Sequence, residues 1–455
     1  MHTTTVSAFD VVVVGGGLAG LAAAAYAARA NRSVLLFEKA SRLGGRATTD
    51  KRAGYLFNRG AHALYPGGPG SAVLAELGVT YRAGAPRHIR VLLDGALYPF
   101  PSTPGSLLGT GMLSAQDKLE LVRLFALLPR LDARSLARVS VNTWLDQATG
   151  RPAVRRTLAG LARTFLYSSA LDLGSADVVV DSLQRTLKDS VAYVHGGWQT
   201  LVDGLRDAAT AAGARIVTGV RVEAIAEQDG HLVGARLRDG SVVSASALVV
   251  ATTPRETAAL LGERAEPLGV GTLQPAEVAC LDVALRWLPD PRAPVVQDLD
   301  RPRFLTTQSQ FAPTAPAGGA LVQTFKQLDP REASDPRADE RDLESLLDVA
   351  QPGWRDVLVR RVFLPRMAGS SALAVASQGG KTGRPGHALA GLNGVFLAGD
   401  WIGPDGYLLD ASLASARVAA GLASEACGGE QLCATASSRL DPARIRSPRA
   451  ARNSP

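Results

Sequence analysis

Asp10-Val11-Val12-Val13-Val14-Gly15-Gly16-Gly17-Leu18-Ala19-Gly20 joins a run of apolar β-formers to a glycine loop, and the loop opens an alanine-rich helix. The glycines at 15, 17 and 20 have the G-x-G-x-x-G spacing. In that spacing the first makes a tight turn, the second lets the backbone approach a pyrophosphate, and the third lets the helix pack closely on the strand. The N–H groups and positive dipole end of the helix then face the phosphates. A second apolar strand, Val34-Leu35-Leu36-Phe37, ends at Glu38, 18 residues past Gly20. An acid at that distance binds an adenosine ribose hydroxyl. A glycine-rich turn in some other α/β unit leaves Glu38 without a reason. The chain therefore begins by holding a dinucleotide.

Just past Glu38 stands Arg42-Leu43-Gly44-Gly45-Arg46-Ala47-Thr48-Thr49. Late in the chain comes Gly394-Val395-Phe396-Leu397-Ala398-Gly399-Asp400, followed by Asp410-Ala411-Ser412-Leu413-Ala414-Ser415-Ala416-Arg417. On these motifs the chain resembles the flavin-containing amine oxidase and phytoene desaturase superfamily over roughly residues 8–424. That group also holds protoporphyrinogen oxidases and hydroxysqualene dehydroxylases. The resemblance implies an α/β fold: a Rossmann-type FAD-binding domain built from three chain segments, plus an α+β substrate domain. It implies FAD rather than NAD. It places Gly15, Gly17, Leu18, Ala19, Gly20, Glu38, Lys39, Gly44, Gly45, Arg46, Gly60, Ala61, His62, Val222, Gly399, Asp400, Leu409 and Ala411 at the cofactor. Asn58 stands where the family usually has Asp, and Ala61 where it often has Pro; Asn keeps the acceptor and loses the charge.

The residues themselves agree. Val395 to Ala398 reads as a buried strand, and Gly399 lets the chain turn close to a ligand. Asp400 can accept from ribityl hydroxyls or sit beside the pyrophosphate. The helix after Leu409 presents N–H groups to the flavin edge where negative charge develops on reduction. The Arg46 guanidinium suits phosphate oxygens; the other reading is a solvated loop arginine.

The domain boundaries read as 8–70, 195–265 and 385–424 for the FAD-binding domain, and 71–194 and 266–384 for the substrate domain. Segment 71–194 reads as mostly helical, with helical periodicity over Lys118 to Leu128, around Trp144 and from Leu158 to Phe165. Segment 266–384 mixes strands (Val278 to Leu285, Ala320 to Phe325, Leu358 to Leu364) with a helix from Asp342 to Val349. Asp229-Gly230 and Asp239-Gly240 are hairpin turns. The Ser-, Ala-, Arg- and Pro-rich tail, 425–455, reads as disordered.

Composition excludes several classes. The net charge is +7, but the basic residues are scattered without interleaved aromatics, which argues against nucleic acid. Three cysteines, at 280, 427 and 433, are too few and scattered for a disulfide framework or a metal site. No cysteine precedes the late motif at the spacing of a covalent link, so the FAD is expected to be non-covalent. The N-terminal apolar run is the first Rossmann strand rather than a signal peptide, and no apolar stretch reaches a membrane span. The expected location is cytoplasmic, with at most peripheral membrane contact through Met112 to Leu131.

Candidate catalytic side chains are few: His62, Tyr65, Trp401 and Tyr407. His62 reads either as a satisfied structural histidine or as a proton-transfer group. Tyr407 reads as an aromatic wall or as packing, and an ungapped match to the amine oxidases puts Leu408 at their tyrosine. Lys326 or Lys381 could match the lysine those enzymes hold near the flavin; both read more simply as solvated. The favoured function is an FAD-dependent oxidoreductase, desaturase- or dehydrogenase-like, oxidising a C–C bond of an apolar isoprenoid- or polyketide-like small molecule. Dioxygen or a quinone is the expected electron acceptor. The alternatives are an amine oxidase acting on a C–N bond, a redox-neutral isomerase or dehydroxylase, and a non-catalytic FAD-binding protein.

Overall fold

The computed structural model describes residues 5–60 and 62–437. Strand Thr5–Val14 lies inside a seven-stranded sheet, between Val34–Glu38 and Val242–Val250, both parallel to it. Arg215–Thr218 pairs outside Val34–Glu38. On the other side, Val222–Gln228 and His231–Leu237 form an antiparallel hairpin against the start of Val242–Val250. Val395–Leu397 pairs parallel with that strand's end. The sheet thus draws on three separated stretches of chain, as the fold class requires.

Val11, Val12 and Val13 are fully buried because both faces of the sheet are covered. Helix Leu18–Arg29 packs on one face beside helices Gln199–Ala211 and Leu409–Ser437. Its residues Ala22 to Ala25 are completely buried, and their small side chains let three helices crowd over one sheet. Phe37, Leu248 and Val250 cover the other face with Trp401 and Ile402.

A second seven-stranded sheet runs in the order Leu358–Ser370, Ala276–Leu285, Ala320–Gln327, Arg303–Thr306, Val295–Asp298, Ile89–Leu93, Ala96–Pro99. Its outer face packs on helix Pro336–Ala350 through Leu343, Leu346 and Leu347. Cys280, Asp282, Gln323 and Phe325 lie on its other face, toward the first sheet. Segment 71–194, read as mostly helical, also supplies the hairpin Ile89–Leu93/Ala96–Pro99. Its turn is Asp94-Gly95, with φ of 49° and 76°. This is the same dipeptide signal as Asp229-Gly230, so the sequence carried it.

The last helix continues through Ser437, so the expectation of disorder fails for 425–437. Seven of the thirteen residues there are Ala, Glu, Gln or Leu, good helix formers that extend a helix already nucleated by its packed first turns. Residues 438–455 of the expected tail lie outside the described residues.

Candidate functional site

A cavity of about 390 Å³ lies at the carboxyl ends of the parallel strands, the place where open α/β sheets bind ligands. The first strand delivers Gly15, Gly17, Leu18 and Ala19 to it, the second Glu38 and Lys39, and the loop after that Gly44, Gly45 and Arg46. The late strand delivers Gly399 and Asp400, and the last helix begins there with Leu409. His62 lines it as well.

The fingerprint glycines divide their work. A Cβ at Gly20 would overlap the Gly15 carbonyl oxygen, so Gly20 packs helix on loop and does not line the cavity. A Cβ at Gly17 would meet nothing within 4 Å. It points into open space at the helix N-terminus, where an anionic group finds free N–H donors. Glu38 is fixed by two backbone donors: Gly16 N–H on Oε2 and Ala40 N–H on Oε1, each 2.7 Å. A carboxylate has about four acceptor positions, so lone pairs remain for ribose hydroxyls. Lys39 pairs with Glu256 across the cavity rim.

Asp400 is buried, its Oδ1 2.8 Å from the Arg46 guanidinium and its Oδ2 accepting the Ser371 N–H at 2.8 Å. Burial pushes this carboxyl up, but the Arg46 charge and the bonds from Arg46 and Ser371 outweigh it, leaving it below the ordinary carboxylate range. Arg46 keeps 40 % of its side chain open to the cavity, so it is available to a second anion. Arg384, unnoticed in the sequence, is buried and donates to the carbonyls of Asp400 and Gly406, holding the 400–406 loop.

His62 donates Nδ1–H to the Gly60 carbonyl at 2.8 Å, because a carbonyl can only accept. Burial lowers its pKa to about 4, so the ring is neutral at physiological pH with Nε2 as an acceptor. The ring lies 4.6 Å from that of Trp198. Trp198 also lines the cavity, and its buried Nε1–H has no acceptor among the described residues. An orphan donor, open space at Gly17 and a half-free arginine are together what a large phosphate-bearing, heterocyclic ligand would satisfy.

Other expected residues lie elsewhere. Trp401 is wholly buried under the first sheet, donating to the Thr252 carbonyl. Tyr407 donates to the Leu166 carbonyl within the helical core. Tyr65 packs on the same core and does not line the cavity. Leu408, at φ 54°, is the residue of that loop which faces the cavity. Val222 is buried in the sheet core, and Gly60 and Ala411 are buried near the cavity without lining it. Ala61 lies outside the described residues. Lys326 bridges Asp339 and Asp342 at 2.9 and 3.1 Å, and buried Lys381 pairs with Asp181 at 2.8 Å. Both lysines are therefore committed to ion pairs rather than free in solvent, and neither reaches the cavity.

Tyr167 is a lining residue that periodicity could not reveal. It ends helix Pro152–Leu166 with φ 57°, and the strain of a left-handed tyrosine turns its ring onto Phe325, stacked at 5.5 Å. Phe304 follows at 5.3 Å from Phe325. With Met367 these rings make an apolar wall.

Among known proteins, the chain is 25% identical over 414 residues to coproporphyrinogen III oxidase of Propionibacterium freudenreichii, covering 75% of this chain and 77% of that one. It is 25% identical over 332 residues to a component of the limonene dehydrogenase of Castellaniella defragrans, covering 61% and 57%. A crystal structure of an oxidoreductase from Methanosarcina mazei shares the fold, with a TM-score of 0.72 at 20% identity, over 90% of this chain and 99% of that one. The profile of the flavin-containing amine oxidoreductases matches residues 18–423, so nearly the whole architecture around the cavity is accounted for by one family. The chain belongs to the flavin-containing amine oxidoreductases and is a flavin-dependent oxidoreductase.

Proposed function

We propose that the cavity holds FAD without a covalent bond and that the enzyme oxidises a C–C bond of an apolar, isoprenoid- or polyketide-like small molecule. The observation that carries the substrate reading is the state of the lining carboxylates. Glu38 is held by backbone N–H groups with its remaining lone pairs assigned to the adenosine ribose, Glu256 is paired with Lys39 and Asp400 with Arg46. None is left for a substrate ammonium, and Tyr407, the residue read as an aromatic wall, is turned into the core, as is the nearby Trp401. The cavity also presents Tyr167, Trp198, Met367, Leu408 and neutral His62. A relative named for limonene, an unsaturated hydrocarbon, fits this reading.

The residues would share the work as follows. Gly17, the Leu18–Ala19 helix start and Arg46 hold the pyrophosphate, and Glu38 the adenosine ribose. Asp400 orients Arg46, and the Leu409 helix start supplies N–H donors. A bound flavin accepts two electrons, usually as a hydride. Tyr167 and Met367 exclude water, and His62 Nε2 can accept a hydrogen bond or a proton. Dioxygen or a quinone takes the electrons onward. Cys280 and Cys427 do not line the cavity, which supports a non-covalent cofactor. Acid precipitation of the yellow protein is expected to leave all flavin in the supernatant as FAD. Anaerobic mixing is expected to bleach it with unsaturated isoprenoids and not with primary amines. Flavin retained in the pellet sinks the first claim, and bleaching by amines alone sinks the second.

The same reading asks how an apolar substrate arrives. No helix among the described residues is long and apolar enough to cross a membrane. Helix Ala115–Leu127 buries Leu121 and Leu124 but exposes Leu119 (72%) and Val122 (49%), with Leu108, Leu127 and Leu131 exposed nearby. We propose that this patch touches anionic lipid, with Lys118, Arg123 and Arg130 as its basic residues; Lys118 donates to the Leu108 carbonyl and Arg123 pairs with Glu120, which leaves Arg130. Liposome flotation is expected to show binding at low salt that is lost at high salt. Absence of binding to anionic vesicles at low salt rejects the contact.

A further inference from the structure

Asp282 sits in the middle of strand Ala276–Leu285, on the face toward the flavin-binding half, and is 2 % exposed. Its register partner in the next strand is Gln323. The amide of Gln323 donates to Asp282 Oδ2 at 3.3 Å and reaches the Gly60 carbonyl at 3.4 Å. That carbonyl is the one that receives Nδ1–H of His62. Two oxygens of this arrangement, Asp282 Oδ1 and Gln323 Oε1, are buried without a partner.

A proton on Asp282 donated to Gln323 Oε1 would satisfy both oxygens. Carboxylic acid and amide pair in a ring when the acid O–H donates to the amide oxygen and the amide N–H donates back. A buried carboxylate with no cation, in contrast, is among the costliest groups a fold can hold. Strand Leu358–Ser370 places Val362 opposite Asp282. Cys280, Tyr55 (bonded to the Leu285 carbonyl), Tyr167 (stacked on Phe325), Tyr193 (bonded by Thr306) and His62 are titratable groups on this face. Burial pushes Asp282 up to about 7, and the only opposing influence is the bond from Gln323.

We infer that Asp282 is a positioning residue which, as the neutral acid, pairs with Gln323, clamps the Gly60 carbonyl and so holds His62, a cavity-lining residue, as the Nδ1–H tautomer. The inference rests on the proposed flavin site only in giving His62 something to face. It adds a second control: ionisation of Asp282 breaks the acid–amide ring and loosens the loop that carries His62.

The test uses the full chain stripped of flavin, so that failure of the flavin reading leaves it intact. Asp282→Asn keeps a paired amide that cannot ionise; Asp282→Leu deletes the pair. Infrared spectra of wild type are expected to show a carboxylic-acid C=O band near pH 6 that vanishes near pH 9 and is missing from Asp282→Asn. The His62 Nδ1–H resonance is expected to persist at both pH values in Asp282→Asn, but to be lost near pH 9 in wild type and at both in Asp282→Leu. The thermal midpoint supplies a further readout. The native carboxyl binds its proton more tightly than the unfolded one, so stability falls as pH rises from about 4 toward about 7. Wild type is therefore expected to lose ground to Asp282→Asn across that window. Should Asp282→Leu fail to fold, the comparison of wild type with Asp282→Asn decides alone. A wild-type minus Asp282→Asn difference spectrum without an acid band, once the band of Asp410 (pushed up to about 6 by burial) cancels, or a His62 proton indifferent to pH in wild type, overturns the inference.

Discussion

Gly20→Ala is expected to yield a protein that purifies colourless and melts several degrees below wild type, whereas Gly17→Ala is expected to lose flavin but melt normally as apoprotein. The two glycines stand three apart on one loop, and their surroundings are opposite. A methyl at Gly20 collides with the backbone oxygen of Gly15. Gly15 cannot retreat: its φ is 110°, a Cβ on it would lie 2.5 Å from the Ala251 oxygen, and its N–H is bonded to the Phe37 carbonyl at 2.8 Å. The helix must move instead, away from a bed in which Ala22 to Ala25 have no free surface. Overpacking of this kind costs about 1–3 kcal/mol, and a backbone obstacle puts it at the upper end. A displaced helix start also loses the phosphate, for a combined drop in FAD affinity on the order of a hundredfold. Gly17 has φ −77° and open space beside it, so alanine strains nothing until a ligand arrives. Thermal melts of both apoproteins, with FAD titrations, separate the cases. Full flavin occupancy in Gly20→Ala rejects the packing argument, and normal affinity in Gly17→Ala removes the pyrophosphate from this spot.

That division of labour also shows what the sequence could and could not tell. Spacing assigned Gly15, Gly17, Gly20 and Glu38 to one loop and one strand end because local rules dictate them: a turn, a close approach, a strand ending in an acid. Gly399, Asp400 and the start of the last helix were located by the family resemblance of the late motif, with which the local reading agrees. Local rules failed where a side chain's direction depends on packing between distant segments. Trp401 and Tyr407 follow Asp400 closely, yet Trp401 packs under the first sheet and Tyr407 in the helical core, which leaves Leu408 at the cavity. Tyr167 comes from a helix end far along the chain from the glycine loop, and no periodicity marks it as cavity-facing. The Asp282–Gln323 pair exists only because two strands lie in register. Lys326 and Lys381 looked like surface lysines until the acids from helices Pro336–Ala350 and Ala176–Lys188 were brought to them.

The Arg46–Asp400 pair yields the second large effect, and its two halves are not equivalent. Arg46→Ala is expected to destabilise the apoprotein by about 3–5 kcal/mol at neutral pH, because it strands a carboxylate with 4 % of its side chain exposed. Asp400→Ala is expected to cost less, about 1–3 kcal/mol, since the Arg46 side chain opens onto the cavity and water can replace its partner; the Ser371 N–H is then the group left unpaired. Both lose flavin affinity. The pH dependence distinguishes this account from generic damage. In wild type the folded carboxyl lies below its unfolded value, so its contribution is present above about pH 4 and is lost as pH falls through the folded pKa. With Arg46 gone, only the bonds from Ser371 oppose burial, which is the largest influence, and the folded carboxyl lies above its unfolded value. The sign reverses: the variant regains stability as pH falls toward about 4, where Asp400 takes up a proton. The gap between wild type and Arg46→Ala should therefore narrow on acidification. Urea unfolding of the apoproteins at about pH 5 and about pH 8 measures it. A gap that stays constant, or an Asp400→Ala penalty exceeding that of Arg46→Ala, would show that the carboxylate is not the desolvated member of the pair.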